Sequence, residues 1–296
     1  MNLALTVLEI VAPVLVLALI GFTWVKVGFD YPIAFVTRLG TGLAVPCLIF
    51  VSLMQTDIDA RALVNLSLAT LVAYALIGVV FAVLLRSFGL DRRTFLAPAI
   101  FGNTGNLGLP LALFAFGDRG LSLALVVFAV SSILAFTVGV WLVAGRGSGG
   151  KALREPMVWA TVFGALFASQ GWQTPQFVTD ALGLIGQMAI PLMLITLGVA
   201  LARIVPGQLA LSATLALVKV VICFAIAWGV ALMFGLQGEA FGVLVLLMST
   251  PVAVVSYLLA EKYGADSQAV AGMVMVSTVI SIAALPLVLA IVLWQL

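Results

Sequence analysis

Residues 101–110 read Phe101-Gly102-Asn103-Thr104-Gly105-Asn106-Leu107-Gly108-Leu109-Pro110, inside an apolar segment, 95–116, that is long enough to span a membrane. This run is a poor helix interior, because glycine costs roughly 1 kcal/mol and proline about 3 kcal/mol relative to alanine. It should therefore open the helix and free backbone N–H and C=O groups. In hydrocarbon, such groups persist only where they line a protein cavity or a water-filled path. We therefore expect a binding site at this interruption.

The composition is typical of a polytopic membrane protein. Of the 296 residues, 64% are hydrophobic and only 8% are charged, and the mean hydropathy is +1.31. The balance of 13 basic and 11 acidic residues gives no indication of a nucleic-acid partner. Histidine is absent, so the commonest metal ligand and the usual proton carrier at neutral pH are missing. We expect no cofactor and no metal, and leave open whether H⁺ or Na⁺ is coupled to the function.

Apolar runs of about 20 residues, bounded by polar residues, glycine or proline, predict ten membrane-spanning helices in an all-α fold. The predicted spans are 3–22, 32–54, 63–85, 95–116, 120–143, 157–172, 178–202, 208–234, 240–260 and 267–294.

The loop charges predict the orientation of these spans. Ten spans place both termini on one side, where the loops contain only two basic residues, Arg61 and Arg119. Basic residues of the opposite side are Lys26, Arg38, Arg86, Arg92, Arg93, Arg146, Lys151, Arg154, Arg203 and Lys262. Because basic loops stay in the cytoplasm, both termini should face outward from the plasma (inner) membrane.

Short motifs recur in the same order in the two halves of the chain. Phe88-Gly89-Leu90 corresponds to Phe234-Gly235-Leu236, an offset of 235 − 89 = 146. Val130-Ser131-Ser132-Ile133-Leu134 corresponds to Val276-Ser277-Thr278-Val279-Ile280 at the same offset, 277 − 131 = 146. With five spans per half, the second half enters the membrane in the opposite sense. Such an inverted-topology repeat is typical of secondary transporters.

The repeat divides the chain into two halves and predicts a second interruption. The first repeat covers 1–145, a cytoplasmic connector covers 146–155, and the second repeat covers 156–296. Adding 146 to the run Gly102–Pro110 leads to 248–256, where Ser249-Thr250-Pro251 lies mid-span. Paired interruptions at corresponding positions indicate a transporter's substrate site, formed where two broken helices, spans 4 and 9, meet.

These motifs resemble those of the auxin efflux carrier family, whose bacterial members are associated with small organic acids. The resemblance rests on the run Gly102–Pro110, on Ser249-Thr250-Pro251 and on the five-plus-five layout. It implies a fold related to that of bile-acid:sodium symporters, with spans 4 and 9 crossing near Asn106 and Pro251. It further implies a scaffold domain of spans 1, 2, 6 and 7, a transport domain of spans 3–5 and 8–10, and a homodimer formed through the scaffold.

Polar residues of the two interruptions are the candidate substrate site. The amides of Asn103 and Asn106 can donate hydrogen bonds to a carboxylate, and the N-terminal ends of two half-helices add partial positive charge. The alternative is that these side chains only satisfy freed backbone groups. Gly102, Gly105 and Gly108 lack a side chain, which permits either a close crossing of helices or contact with a ligand, and the sequence favours neither explanation. The candidate substrate residues are Asn103, Thr104, Gly105, Asn106, Pro110, Lys219, Ser249, Thr250 and Pro251.

Lys219 lies well inside span 8, where a central charge costs roughly 2.5–3.5 kcal/mol. It could neutralise a substrate carboxylate, anchor a carbonyl group at a helix break, or extend its stem toward the membrane surface.

Four hydroxyl residues recur at matching positions of spans 5 and 10, behind the proposed crossing: Ser131, Ser132, Ser277 and Thr278. They could ligate a cation together with freed carbonyl groups, or hydrogen-bond between helices. The second interpretation is slightly favoured.

The sequence therefore predicts a secondary transporter of a small organic anion, a carboxylate or auxin-like weak acid, that works by elevator-like alternating access. The resemblance alone suggests efflux. A sodium-coupled importer of the bile-acid symporter type, a membrane sensor and a channel are alternatives. An intramembrane enzyme is disfavoured, because the chain has no histidine and no paired aspartates within spans. The expected partners are the organic anion, membrane lipid and a second copy of the chain.

Overall fold

The computed structural model describes residues 3–55, 58–145, 156–203 and 209–295. The predicted connector 146–155 lies outside these residues. Apart from a lone antiparallel bridge, the described residues form helices and turns only. The α-helices are α1 Leu3–Lys26, α2 Ile33–Leu39, α3 Val45–Met54, α4 Ala60–Ser87, α5 Arg92–Ile100, α6 Leu109–Leu134, α7 Val140–Ala144, α8 Pro156–Gln170, α9 Gln176–Gln187, α10 Ala189–Arg203, α11 Leu209–Met233, α12 Gly238–Met248, α13 Val254–Tyr263 and α14 Ser267–Gln295. Three π-helical turns cover Gly40–Ala44, Thr104–Gly108 and Ala135–Gly139.

The prediction of an all-helical membrane protein is confirmed. Seven helical segments of the described chain are long and apolar enough to cross a membrane: Leu5–Lys26, Ile33–Met54, Arg61–Ser87, Thr104–Ala144, Gln176–Arg203, Leu209–Met233 and Ser267–Gln295. Helices α5, α8, α12 and α13 each have 15 residues or fewer and are too short to cross alone.

Several helix starts follow from local sequence. Asp91 begins α5, because its carboxylate accepts hydrogen bonds from the backbone N–H groups of Arg93 and Thr94. The Thr94 hydroxyl donates to the same carboxylate at 2.6 Å. These hydrogen bonds hold the pKa of Asp91 below its usual value, with the Thr94 hydroxyl the largest cause. Asp59 caps α4 in the same way.

Small residues allow the closest helix contacts. A Cβ atom on Gly198 of α10 would overlap the carbonyl oxygen of Ala18 in α1, and one on Gly21 would overlap that of Ile195. Helix α3 packs against α8 and α9, where Gly164 and Gly186 approach its backbone. Such backbone contact is the usual basis of helix association in membranes, where burial of apolar surface provides little drive.

The remaining helices form a second packed group. Helix α4 lies against α5 and α6, and α11 lies against α12 and α14. Their outer faces expose large apolar side chains, for example Val79 and Val83 on α4 and Val221 on α11. In a membrane, these faces contact lipid. The helix pairs α5–α6 and α12–α13 lie inside this group and bring residues 101–103 and 249–253 together.

Candidate functional site

Two non-helical segments pair in the interior of the molecule. The first linker, residues 101–103, follows α5, and the second linker, residues 249–253, follows α12. The Asn103 N–H donates to the Pro251 carbonyl at 2.7 Å, and the Ala253 N–H donates to that of Phe101 at 3.2 Å. Gly102 and Val252 thus form an antiparallel bridge. The pairing satisfies backbone groups that would otherwise be stranded in an apolar interior.

Gly102 is required by this close approach. A Cβ atom at this position would overlap Thr250 Oγ1 and lie 3.1 Å from the Thr250 carbonyl oxygen. Gly105 and Gly108 serve helix packing, because added Cβ atoms would contact Phe128 and Met193 in the first case and Leu247 in the second. Pro110 is buried just after the π-helical turn Thr104–Gly108, and without an N–H group it cannot donate a hydrogen bond to that turn.

Lys219 caps the end of α5. Its ammonium group is 1% exposed and donates to the carbonyl oxygen of Ala99 at 2.9 Å, one residue before the helix ends. A positive charge at a helix C-terminus interacts favourably with the unpaired carbonyl groups there. Among the alternatives that the sequence left open, the structure shows the anchoring of a carbonyl group at a helix end.

Asn103 has an unused hydrogen-bond donor. The side chain is 4% exposed, and its Nδ2 atom has no hydrogen-bond partner among the described residues. The backbone carbonyl oxygen of Asn103 accepts hydrogen bonds from the N–H groups of Leu107 and Gly108. The Asn103 side chain makes no capping hydrogen bond to the π-helical turn that follows. A buried unpaired amide is rare in proteins and calls for a ligand or another explanation.

The hydroxyl groups beside the first linker form a chain of hydrogen bonds. The Tyr74 hydroxyl of α4 donates to Ser131 Oγ at 2.7 Å, and the Thr104 hydroxyl donates to the same atom at 3.3 Å. Ser132 is buried next to Ser131. Sequence reasoning missed Tyr74, because nothing in the apolar sequence of α4 distinguishes it from a lipid-facing aromatic residue.

The second linker uses its own polar groups. The hydroxyls of Ser249 and Thr250 are fully buried and donate to carbonyl groups of α12, those of Val245 and Leu247, at 2.7 and 2.6 Å. Ser277 of α14 accepts the Val252 N–H at 3.0 Å. The Thr278 hydroxyl donates to the Val274 carbonyl in its own helix. Ser249, Thr250 and Ser277 therefore stabilise the linker in this structure, whereas Thr278 bonds only within its own helix.

Two helix N-termini meet near the linkers without side-chain caps. The π-helical turn before α6 begins after Asn103, and α13 begins after Ala253. At neither position does a side chain accept a hydrogen bond from the N–H groups of the helix start. Uncapped N-termini carry partial positive charge and free N–H groups, which favour an anion. Asn106 is partly exposed in this turn, and its amide makes no hydrogen bond within the described residues.

A polar vestibule of about 760 Å³ lies between α3 and α9 on one side and α6 on the other. Its lining includes the polar side chains of Gln55, Asp118, Gln176 and Asp180 and apolar ones such as Leu113 and Pro191. Leu113 lies four residues after the start of α6, and none of the linker residues 101–103 and 249–253 lines the vestibule. The sequence analysis did not identify these vestibule residues, because they come from separate loops and helix ends.

Comparison with known proteins gives consistent matches. The model of the family described as "Membrane transport protein" matches residues 6–153 and 148–289. An uncharacterized transporter of Methanothermobacter thermautotrophicus is 28% identical over 94% of this chain and 96% of its own. A protein of Rhizobium meliloti named "Putative malonate transporter" is 25% identical over 81% of both chains. An uncharacterized transporter of Methanocaldococcus jannaschii is 25% identical over 62% of this chain and 63% of its own.

Proposed function

Since the chain belongs to the family of membrane transport proteins, we propose that it is a secondary transporter that moves a small organic anion by alternating access. The family assignment confirms the resemblance to auxin efflux carriers at the level of the family, and it makes the protein an integral membrane transporter and not an enzyme. We propose the organic anion as the substrate, alternating access as the mechanism and export as the direction of transport.

The observation that supports an anion most directly is the unpaired amide of Asn103 beside two uncapped helix N-termini. An amide donor and free backbone N–H groups are complementary to a carboxylate. The same groups would be costly to bury beside a cation. A buried donor without a partner costs about 1–3 kcal/mol, so its retention is best explained by a ligand that it meets during transport.

A short carboxylate is the first substrate to test. The name of the Rhizobium meliloti relative points to malonate. The two amides of Asn103 and Asn106 could each donate to a carboxylate oxygen. An auxin-like weak acid is the second candidate, because the chain resembles the auxin efflux carriers.

We infer ten spans that form two inverted repeats, with α5–α6 and α12–α13 as interrupted helices that cross at the linkers. The segment Thr104–Ala144 has 41 residues, about twice the length that one crossing needs. Gly117 interrupts it with φ 66° and ψ −161°, which supports a reversal of direction between two spans.

Packing and end contacts also support the repeat. Helix α1 packs on α10 as α8 packs on α3, and α4 packs on α5 as α11 packs on α12. At one end Arg93, at the start of α5, donates to the Tyr263 carbonyl at the end of α13. Glu239, at the start of α12, is the equivalent of Arg93 in the proposed repeat, because 239 − 93 = 146. It forms an ion pair at 3.3 Å with Arg119, which lies just after Gly117.

In this proposal, α1–α3 and α8–α10 form a scaffold, and α4–α7 and α11–α14 form the moving transport domain. The polar vestibule lies between these two groups, on the side of the chain termini, which we take to be the outside of the inner membrane. A second copy of the chain would dimerise through the exposed apolar residues of α2 and α9, such as Phe35 and Phe177.

Sodium coupling, as in an importer of the bile-acid symporter type, is less well supported. The hydroxyls of Ser277 and Thr278 already donate to the Val274 carbonyl, and Ser131 accepts from Tyr74 and Thr104. A cation at these groups would have to displace these contacts.

Flux measurements with proteoliposomes test the proposal. Labelled malonate, malate and an indole acid would be offered with sodium and proton gradients imposed separately. We expect saturable flux of at least one carboxylate in the native protein. Replacement of Asn103 by Ala should weaken apparent affinity about 10- to 100-fold, as expected for loss of a hydrogen bond to a charged group. Thermal stability should not fall, since the amide is unpaired.

Ser277→Ala is the matched control, because it removes a hydrogen-bonding group at the second linker. It should lower stability, since the Val252 N–H loses its acceptor, and change affinity by less than about threefold. Equal affinity in the Asn103→Ala and native proteins would remove Asn103 from the site. Ligand binding without flux under any gradient would replace the transporter proposal by a sensor.

A further inference from the structure

A second cavity is a cleft of about 340 Å³ between α1 and α10 on one side and α6 and α14 on the other. Its walls expose only apolar atoms. The two hydroxyl residues in its wall, Thr278 and Ser281, donate to backbone carbonyls of their own helix at 2.7 Å each. A polar ligand would therefore find no free donor in the wall, and water would lack partners. The cleft suits a hydrocarbon occupant.

The cleft opens onto the lipid-facing surface of the protein. Leu15, Leu19 and Ile282 line it and are 37%, 60% and 50% exposed. In a membrane, bilayer hydrocarbon is therefore continuous with its mouth. An apolar cavity of about 150 Å³ holds one benzene, so this cleft has room for a chain of roughly twelve carbons. This matches part of one acyl chain.

Two basic residues lie at one end of this cleft. The Lys26 ammonium lies 5.5 Å from the ring centroid of Phe22, which lines the cleft. Arg203 follows the lining residue Leu201 by two positions and donates to the Tyr31 carbonyl at 2.8 Å. This hydrogen bond places the end of α10 beside the loop that follows α1. Both basic side chains are exposed, so they can reach a phosphate at the membrane surface.

We propose that this cleft is a binding site for an anionic phospholipid. One acyl chain fills the cleft, and the phosphate lies between Lys26 and Arg203. The inner end of the chain packs against Leu107, whose N–H donates to the Asn103 carbonyl. The lipid thereby contacts the turn that follows the first linker. Binding is independent of the proposed transport function; only an effect of the lipid on flux would rest on it.

Native mass spectrometry of the delipidated full chain in detergent tests the site. Phosphatidylglycerol and phosphatidylcholine with identical acyl chains would be added separately. We expect one phosphatidylglycerol per chain to bind more tightly than phosphatidylcholine. The double variant Lys26→Gln with Arg203→Gln should weaken phosphatidylglycerol binding about 30-fold, about fivefold per basic residue. Arg86→Gln, at the exposed end of α4, is the matched control and should change nothing.

A bulky residue at the mouth of the cleft tests the proposal that an acyl chain fills it. Leu15→Trp should reduce retention of both lipids, and Val79→Trp, on the lipid-facing surface of α4 away from the cleft, should not. Leu15 is partly exposed, so this change leaves the core intact. Equal effects of the site and control variants would show only general lipid contact and overturn the proposal. Displacement of the lipid by malonate would also overturn it, because the cleft would then belong to the substrate path.

Discussion

The two linkers pair with each other but differ in how their polar groups are used. The carbonyl groups at the end of α12 are capped by neutral hydroxyls of the same linker, Ser249 and Thr250. At the end of α5, the Ala99 carbonyl is capped by the ammonium group of Lys219, from a distant helix. The two paired linkers therefore hold two different local charges.

The two linkers also differ in whether they contain a polar group without a hydrogen-bond partner. Val252 in the second linker has its N–H bonded to Ser277, whereas Asn103 in the first linker keeps an amide without a partner. The second linker is thus internally satisfied, and the first retains a donor for a ligand. In our proposal both linkers contribute to the crossing of the chain, and the first linker alone supplies a free side-chain donor to the ligand.

The largest expected effect comes from a change that separates the linkers. Gly102→Ala places a methyl group against Thr250 and should lower the free energy of unfolding by about 2–3 kcal/mol, as for overpacking of a tight core, and abolish flux. Thermal unfolding in detergent and flux in proteoliposomes measure both.

Gly229→Ala is the matched control, because an added Cβ atom there meets nothing within 4 Å. It should leave stability unchanged or raise it by up to about 1 kcal/mol, since Gly229 lies within α11. Unchanged stability of Gly102→Ala would contradict the close pairing of the linkers. Adding Thr250→Ala to Gly102→Ala should recover part of the loss.

The position of the linkers could be predicted from sequence, because glycine and proline act through local backbone geometry. The use of each polar side chain could not. Lys219 reaches Ala99 across 120 residues of sequence, and Tyr74 reaches Ser131 across 57. Such contacts depend on helix rotation and crossing angle, which a nearly uniform apolar sequence does not specify. For the same reason Ser249 and Asn103 look equally suitable in sequence, although only Asn103 has an unused donor.

The charged cap at the first linker gives the next prediction. A buried ammonium costs several kcal/mol of desolvation, more than the roughly 1.5–3 kcal/mol that a charge-assisted hydrogen bond returns. Lys219→Met should therefore not lower the melting temperature. Flux should fall about tenfold, equivalent to about 1.4 kcal/mol, because the end of α5 loses the group that holds Ala99.

Lys219→Arg would separate charge from shape. It keeps the positive charge at the helix end and should retain more flux than Lys219→Met. Ser249→Ala, at the second linker, is the comparison: the Val245 carbonyl still accepts the Ser249 N–H, so flux and stability should change little. A large loss of stability in Lys219→Met, with flux per folded molecule unchanged, would show that Lys219 acts on the fold alone.

The smallest expected effect concerns the N-terminal ends of α5 and α12. Asp91 caps α5, whereas Gln237 begins α12 without a side-chain cap. Asp91→Ala should cost about 1 kcal/mol at neutral pH, and Gln237→Ala should cost nothing measurable. The pKa of Asp91 is lower in the folded state than its usual unfolded value of about 3.9. Its stabilisation is therefore complete above that value and is lost as pH falls through the folded pKa.

Asp91→Asn isolates the charge, because asparagine caps a helix about as well but does not titrate. The difference in melting temperature between the native and Asp91→Asn proteins should shrink as the pH falls below about 5, and it should vanish only below the folded-state pKa of Asp91. A difference that is constant over this range would mean that the Thr94 and Arg93 contacts do not favour the charged form. The two helix starts would then be electrostatically alike, and the difference between the two halves of the chain would be limited to the linkers themselves.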